Sequence, residues 1–435
     1  AAAATFSATY YVDGDFDGIQ DLIVAPNSIN ESSGEENMWF YKNTGTNDAP
    51  VFQLENKRYL LDQMLDFGQG ASPTFVDYNA DGLLDIVVGN GRYIERGQDD
   101  DARLWLFENI GTSSAPAFEL ADSDYLQFSQ FNGQAFNYAP TFGDMDNDGD
   151  MDLVVGSEYG TTFYAENLAG ANAPFDFGDI IPNWQDIDPG QSTKPFVVDV
   201  NEDGKNDLLI GERNGNVNYY ENIGTVTNPV FNSDVSVFPN NSNVGGIDTR
   251  VDQILTGYTA PVVIEIAGGR KILTGSESRD LLLYDFDRTT PLTDSFALEA
   301  STFGGIREGV ITRPAAADIN GDGKLDLLVG NARGGLSLYT TDLVVDSTTV
   351  STQELGVVQM QLFPNPVQEL LTVELANSSA EQAQVELYNL NGELVMSKRA
   401  IGERVQLAVG TLPKGVYCIK LQTERGVVLR KIVVQ

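Results

Sequence analysis

Five segments repeat the order D-x-[DN]-x-D-G-x-x-D, and the chemistry that order permits is oxygen coordination of a hard divalent cation. They are Asp13–Asp21, Asp77–Asp85, Asp144–Asp152, Asp199–Asp207 and Asp318–Asp326. Oxygen-bearing side chains recur at alternate positions, and Gly stands sixth in every copy, where a calcium loop needs a sharp turn. Acidic turns arising by chance would not place Gly at the same position five times.

These loops need elements to hold them, and the flanking residues supply the pattern. A Pro stands four residues before the first Asp at Pro73, Pro140, Pro195 and Pro314, with Pro261 at the same place in an irregular copy and Thr9 in the first. A short apolar run leads into each loop and another (LIVA, IVVG, LVVG, LLIG, LLVG) leads out. A polar turn and a third, aromatic-rich run follow (MWFYKN, LWLFEN, TFYAEN, VNYYEN, LLLYDF, LSLYTT). Short β-branched and aromatic runs between turn residues predict strands, three or four per unit. A period of roughly 50–70 residues predicts a propeller or solenoid, because one unit cannot bury its own sheet faces.

Six third strands accompany five intact loops. The odd copy, Pro261–Gly275, has a shorter loop, Glu265 in place of the first Asp, and Arg270 and Lys271 where carboxylates are expected. It predicts a blade that binds no calcium, with the basic pair in the place of the cation.

Composition narrows the function classes. Formal net charge is -37, from 63 acidic against 26 basic residues, which argues against nucleic acid and anionic membranes as partners. The absence of His removes His-based zinc sites and the common Ser-His-Asp and Cys-His arrangements. A single cysteine, Cys418, excludes an intramolecular disulfide and sits in a strand-like run as a small hydrophobe. No stretch approaches the ~18 apolar residues of a membrane span. No signal peptide is evident and the chain opens without Met, consistent with a mature or truncated start.

The repeated loops and strands resemble the FG-GAP/VCBS repeat family, whose members fold as calcium-binding β-propellers. The resemblance covers about residues 5–345, taken as a propeller domain of residues 1–345, and implies six visible blades, with a seventh only if residues upstream of Ala1 supply it. It also implies a ligand set: the first, third, fifth and ninth side chains and the seventh backbone carbonyl. In this chain these are Asp13, Asp15, Asp17, Ile19 and Asp21; Asp77, Asn79, Asp81, Leu83 and Asp85; Asp144, Asp146, Asp148, Asp150 and Asp152; Asp199, Asn201, Asp203, Lys205 and Asp207; and Asp318, Asn320, Asp322, Lys324 and Asp326. About five Ca2+ ions follow, with a structural role favoured over sensing.

Beyond a polar linker, 346–358, the pattern changes. Residues 359–435 alternate apolar and polar around Asn391-Gly392 and Lys414-Gly415, predicting a small Ig-like antiparallel sandwich. Pro364-Asn365-Pro366, Gly415-Val416-Tyr417 and the terminal Lys431-Ile432-Val433-Val434 resemble the type A C-terminal sorting domain of the type IX secretion system. That resemblance implies a Bacteroidota source and export across the outer membrane to the cell surface. It also implies handling by the translocon, shuttle and sortase, with cleavage in the linker.

The turns between second and third strands lie on the face opposite the calcium loops and contribute Arg92, Tyr93, Tyr159, Arg213, Arg279 and Arg333. Two readings stand: a ring that binds a carbohydrate or acidic glycan, or arginines that pair with Glu158, Glu212 and Glu277 and hold the turns. No catalytic constellation stands out, so a non-catalytic binding or adhesion protein is expected, with glycan or protein as extracellular partner. The alternative is a polysaccharide lyase or glycosidase, or an accessory module of one. The insertions Gly91–Ala102 and Asn232–Tyr258 break the spacing and are where partner-specific contacts are expected.

Overall fold

The computed structural model describes residues 7–26, 36–60, 67–91, 102–251, 254–287, 289–346, 359–363, 367–376, 382–389, 394–401, 404–410, 412–423 and 426–434. Within them the chain is all-β, with short antiparallel strands in sheets of three or four. By contact it separates into two compact units. One is residues 1–146, 151–168 and 174–350; the other is 147–150, 169–173 and 351–435.

In the larger unit each repeat folds into its own sheet by consecutive hairpins. The first sheet is Ala8–Val12, Asp21–Ala25, Trp39–Asn43 and Phe52–Asn56; the second is Ser72–Val76, Asp85–Gly89, Leu104–Asn109 and Phe118–Asp122. The third begins Ala139–Gly143 and Asp152–Gly156, the fourth Lys194–Val198 and Asp207–Gly211, the fifth Ala260–Ile266 and Gly269–Gly275, and the sixth Arg313–Ala317 and Lys324–Gly330. Every acidic loop joins the first two strands of its sheet. Its ninth Asp pairs with the residue just before the first Asp: Val12 with Asp21, Val76 with Asp85, Gly143 with Asp152, Val198 with Asp207, Ala317 with Asp326.

Five of the six sheets close a ring, the second through the sixth. One hydrogen bond recurs between neighbours: Tyr138 N–H to the Asn90 carbonyl at 3.0 Å, Thr193 to Ser157 at 3.0 Å, Thr259 to Glu212 at 3.1 Å, Thr312 to Ser276 at 3.0 Å, and Ala71 to Asn331 at 3.0 Å. The last links the sixth sheet back to the second. A glycine precedes each acceptor, and a Cβ there would lie 1.9–2.4 Å from the neighbouring sheet's carbonyl and 2.6–3.0 Å from its Pro Cδ. Gly89, Gly156, Gly211, Gly275 and Gly330 therefore admit an approach that any side chain would block. The recurrent Pro of the sequence is the other half of this lock.

The first sheet lacks both halves, with Thr9 for Pro and Ala25 for Gly. Its leading strand Ala8–Val12 is exposed at every residue, and it carries a separate small core of Val24, Trp39 and Tyr41. All six sheets form, but the ring closes on five.

The fifth sheet also refines the expectation for its basic pair. Adjacent strand residues face opposite ways, so Arg270 and Lys271 cannot act together. Arg270 Nε lies 2.8 Å from Glu265 Oε1, both buried, and its Nη2 donates to the Asp199 carbonyl at 2.9 Å. Lys271, in the register of a ninth Asp, reaches Asp285 at 2.9 Å and Glu299 at 2.7 Å. Arg270 alone neutralises the acid of the shortened loop.

In the smaller unit, residues 359–434 form a three-stranded sheet (Gln359–Phe363, Leu370–Ala376, Arg404–Ala408) and a four-stranded one (Leu394–Ile401, Gln382–Tyr388, Gly415–Thr423, Gly426–Val434). Its core takes alternate residues from each strand: Leu371 and Val373, Val385 and Leu387, Val405 and Leu407, Tyr417 and Ile419, Ile432 and Val434. This period-two burial is the sandwich pattern. Gly415 opens one strand, Tyr417 is buried with its hydroxyl on the Pro413 carbonyl at 2.7 Å, and Lys431 pairs in register with Cys418. Pro364, Asn365 and Pro366 lie outside the described residues, as do Asn391-Gly392 and linker residues 347–358.

Candidate metal centres

The acidic loops share one backbone. Gly18, Gly82, Gly149, Gly204 and Gly323, the sixth residues, have φ of +81° to +96°. The fourth residues also turn left-handed: Phe16, Ala80, Asn147, Glu202 and Gly321, with φ from 57° to 70°. Four of these five are not glycine, so the loop imposes a conformation their side chains disfavour. Sequence alone gave no signal of it, because the position carries no common residue type.

Main-chain donors hold the carboxylates inward. Asp13 accepts Asp17 N–H at 3.1 Å on one oxygen and Gly18 N–H at 3.0 Å on the other. Asp77, Asp199 and Asp318 repeat both bonds with the fifth and sixth residues. The fifth Asp accepts the seventh N–H in turn, as in Asp17 with Ile19 and Asp81 with Leu83, both at 2.8 Å. Carboxylate oxygens of Asp13, Asp15 and Asp21 lie within 4.8 Å of one another, as do those of Asp144, Asp146 and Asp148.

The ninth Asp is the buried floor of each loop, at most 2% exposed in all five. One oxygen accepts the second residue's N–H: Gly14, Tyr78, Met145, Val200 and Ile319, at 2.9–3.3 Å. In four loops the other oxygen accepts the N–H of a buried Asn at the end of the third strand or two residues past it: Asn43, Asn109, Asn167 and Asn222, at 2.7–2.9 Å. That Asn then caps the following turn. Asn222 Oδ1 accepts Gly224 and Val230 N–H at 3.0 and 3.1 Å, and Asn109 Oδ1 takes Gly111 and Ala117 alike. These asparagines thus tie the turns after the third strands to the acidic loops. In the sixth sheet Thr341 supplies part of this role, its hydroxyl oxygen accepting the Leu343 N–H at 3.1 Å.

Burial pushes Asp85 up to about 6 and Asp207 up to about 7, against the backbone N–H groups that favour their charged forms. Asp77 and Asp326 are raised for the same first cause. Each loop thus gathers several carboxylates around one buried acid, an arrangement whose charge a bound cation would offset. The donor set is all oxygen, without nitrogen or sulfur, and fits calcium. In the first loop the Lys42 ammonium lies against Asp15 and, at 3.2 Å, Asp17; in the fourth, Lys205 Nζ is 2.9 Å from Asp203.

Of the rim residues, Tyr159, Arg279 and Arg333 are exposed and Arg213 is half-buried; Arg92 and Tyr93 lie outside the described residues. Tyr159 stands edge-on to Phe136, with centroids 5.1 Å apart. Arg213 Nη1 donates to Gln191. The three glutamates find other partners. Glu158 accepts from Asn137 at 2.7 Å and from Ser192, Glu212 from the Asn214 N–H at 2.8 Å, and Glu277 from Thr256 at 2.5 Å. The Asn232–Tyr258 insertion contributes Ser242, Asn243, Asp248 and Arg250 to a polar cleft of about 340 Å3, shared with Asn214 and Asn216. Of the Gly91–Ala102 insertion, residues 92–101 are not described.

Comparison with known proteins places these features. A family model described as an FG-GAP-like repeat matches residues 13–88, and an FG-GAP repeat model matches 311–347. A model described as the secretion system C-terminal sorting domain matches residues 361–435. No curated protein matches the chain. Among solved structures, a fructofuranosidase variant from Schwanniomyces occidentalis complexed with fructosylnystose is similar at 11% identity and TM-score 0.34, covering 86% of this chain and 91% of its own. The BBS1N structure in complex with ARL6DN is similar at 13% identity and TM-score 0.21, covering 100% and 92%. Scores this low carry no argument about activity.

Proposed function

We propose that this chain, which carries FG-GAP repeats and a type IX secretion sorting domain, is a calcium-stabilised, non-catalytic binding protein of the cell surface. The sorting domain marks it as secreted across the outer membrane and as a client of the type IX machinery. No helix among the described residues is long and apolar enough to cross a membrane.

The observation that carries the calcium reading is the shared loop backbone, with inward carboxylates over a buried ninth Asp. About five ions, ligated by the residues named from the sequence, would neutralise these loops and staple the first two strands of each sheet. The rim supports the binding reading: Tyr159, Arg279 and Arg333 are exposed on the face opposite the loops. An acidic glycan suits stacking on Tyr159 and forked hydrogen bonds from the arginines. Domain limits of 1–345 and 359–435 around the linker belong to the same proposal.

The test is a glycan array probed with the calcium-loaded full chain. Binding to acidic glycans that is lost in Arg279→Ala with Arg333→Ala supports the rim. Binding indifferent to both substitutions rejects it.

A further inference from the structure

Each sheet of the ring begins with one residue directly before its Pro: Ser72, Ala139, Lys194, Ala260 and Arg313. Three are small and two are long cations. Both cations are buried, Lys194 at 5% and Arg313 at 3% exposure. Arg313 Nη1 donates to the Gly70 carbonyl at the entry to the second sheet, and Nη2 to Asn137 Oδ1 at 2.7 Å at the entry to the third. The third and sixth sheets are not neighbours in the ring, so this guanidinium joins entry segments that the ring's repeated neighbour contacts do not. Asn137 hands on to Glu158, which also takes the Ser192 hydroxyl.

The charge balance of this hub is incomplete. Among the described residues, Lys194 Nζ has one hydrogen bond, 3.4 Å to the carbonyl of its own neighbour Thr193, and no carboxylate at ion-pair distance. Arg313 Nε has no partner. The charges that act on Lys194 are Arg313, which repels it, and Glu158. Two cations thus share one carboxylate that two other donors already occupy. Unmatched charge on buried groups is costly, and a charge-assisted contact to an anion offsets it.

We infer that the axis of the ring holds a small monovalent anion, a halide or a carboxylate, between Lys194 Nζ and the Arg313 guanidinium. Ser72, Ala139 and Ala260 contribute little side-chain volume to the same layer. Burial, and after it the charge of Arg313, holds the Lys194 ammonium well below the usual lysine range, and an anion beside it would favour the charged form. The site does not depend on the rim reading, since Lys194 and Arg313 lie inside the ring.

Crystals of the full chain grown in bromide test it directly. An anomalous peak within hydrogen-bond reach of Lys194 Nζ and Arg313 is expected, and its absence overturns the inference. In solution, melting temperature is measured in chloride, acetate and gluconate at one ionic strength. A rise of several degrees over gluconate is expected, in chloride alone for a halide site and in acetate also for a carboxylate site. Lys194→Met removes that dependence. Identical melting in all three salts, or the same rise in Lys194→Met, overturns the site. Should the variant not fold, the bromide result on the unaltered chain decides.

Discussion

The Ala71 N–H donates to the Asn331 carbonyl at 3.0 Å, and the Ala71 carbonyl would stand 2.3 Å from any Cβ placed on Gly330. This contact, between residues from the two ends of the five-sheet ring, closes it. No shared strand is needed, because the joint is the same Gly-to-Pro packing used between every other pair of ring sheets.

The lock can be tested at its closing joint. Gly330→Val places side-chain atoms against main chain that cannot yield, and is expected to cost about 3 kcal/mol or more. Gly268→Ala, whose Cβ meets only the tip of Ile266 at 3.9 Å, is the control and should stay within about 0.5 kcal/mol. Chemical denaturation of the full chain measures both. Equal stability of the two variants would reject the lock.

Calcium removal gives the second prediction. Ions that bind only the folded loops stabilise each by about 2.7 kcal/mol at a hundredfold excess over Kd. Excess EDTA should therefore lower the melting temperature markedly, with calcium restoring it and magnesium doing so less well. Asp207→Asn should lower the calcium stoichiometry by one in equilibrium dialysis. A melting curve indifferent to EDTA would remove the metal assignment.

Lys42 should compete with any cation in the first loop, since its ammonium already contacts Asp15 and Asp17. Lys42→Met is expected to tighten the first-loop site severalfold. Calcium titration of the variant against the unaltered chain reads this out, and unchanged or weaker binding would show that Lys42 does not compete.

The buried Arg270–Glu265 pair in the fifth sheet stands where other sheets present an acidic loop. Removing one partner strands a buried charge, so Arg270→Met alone should cost about 3–5 kcal/mol. Replacing Glu265 with Gln in the same chain should recover much of that. A double-mutant cycle with no coupling would mean the two side chains do not act as a pair.

Asn222 gives a prediction the sequence could not. Its side chain accepts two main-chain N–H groups, and its own N–H meets the buried Asp207. Asn222→Ala leaves those two turn donors without their acceptor and should cost about 2–3 kcal/mol. It should also weaken calcium at the fourth loop, because the turn beside Asp207 loosens. A stability change with calcium affinity untouched would separate the cap from the metal site.

Much of this protein was determined by its sequence because the interactions are local. Loop chemistry, hairpin order and the all-β class follow from residues a few positions apart: Asp and Gly at set intervals, apolar runs on either side, Asn-x-Gly after the third strand. The alternating core of the C-terminal sandwich is legible for the same reason. Tertiary structure decided what distant residues share. Pro73 and Gly330 are each visible in sequence, yet their meeting, and so the count of five sheets in the ring, depends on how twisted sheets pack around an axis. Thr9 marked the first sheet as different, but the meaning of that change, and of Ala25 in place of Gly, appeared only once Pro and Gly were seen in contact. Lys194 and Arg313 are unremarked strand residues in the chain. Folding brings them toward one axis, because a ring of sheets points equivalent positions inward however far apart they lie in sequence.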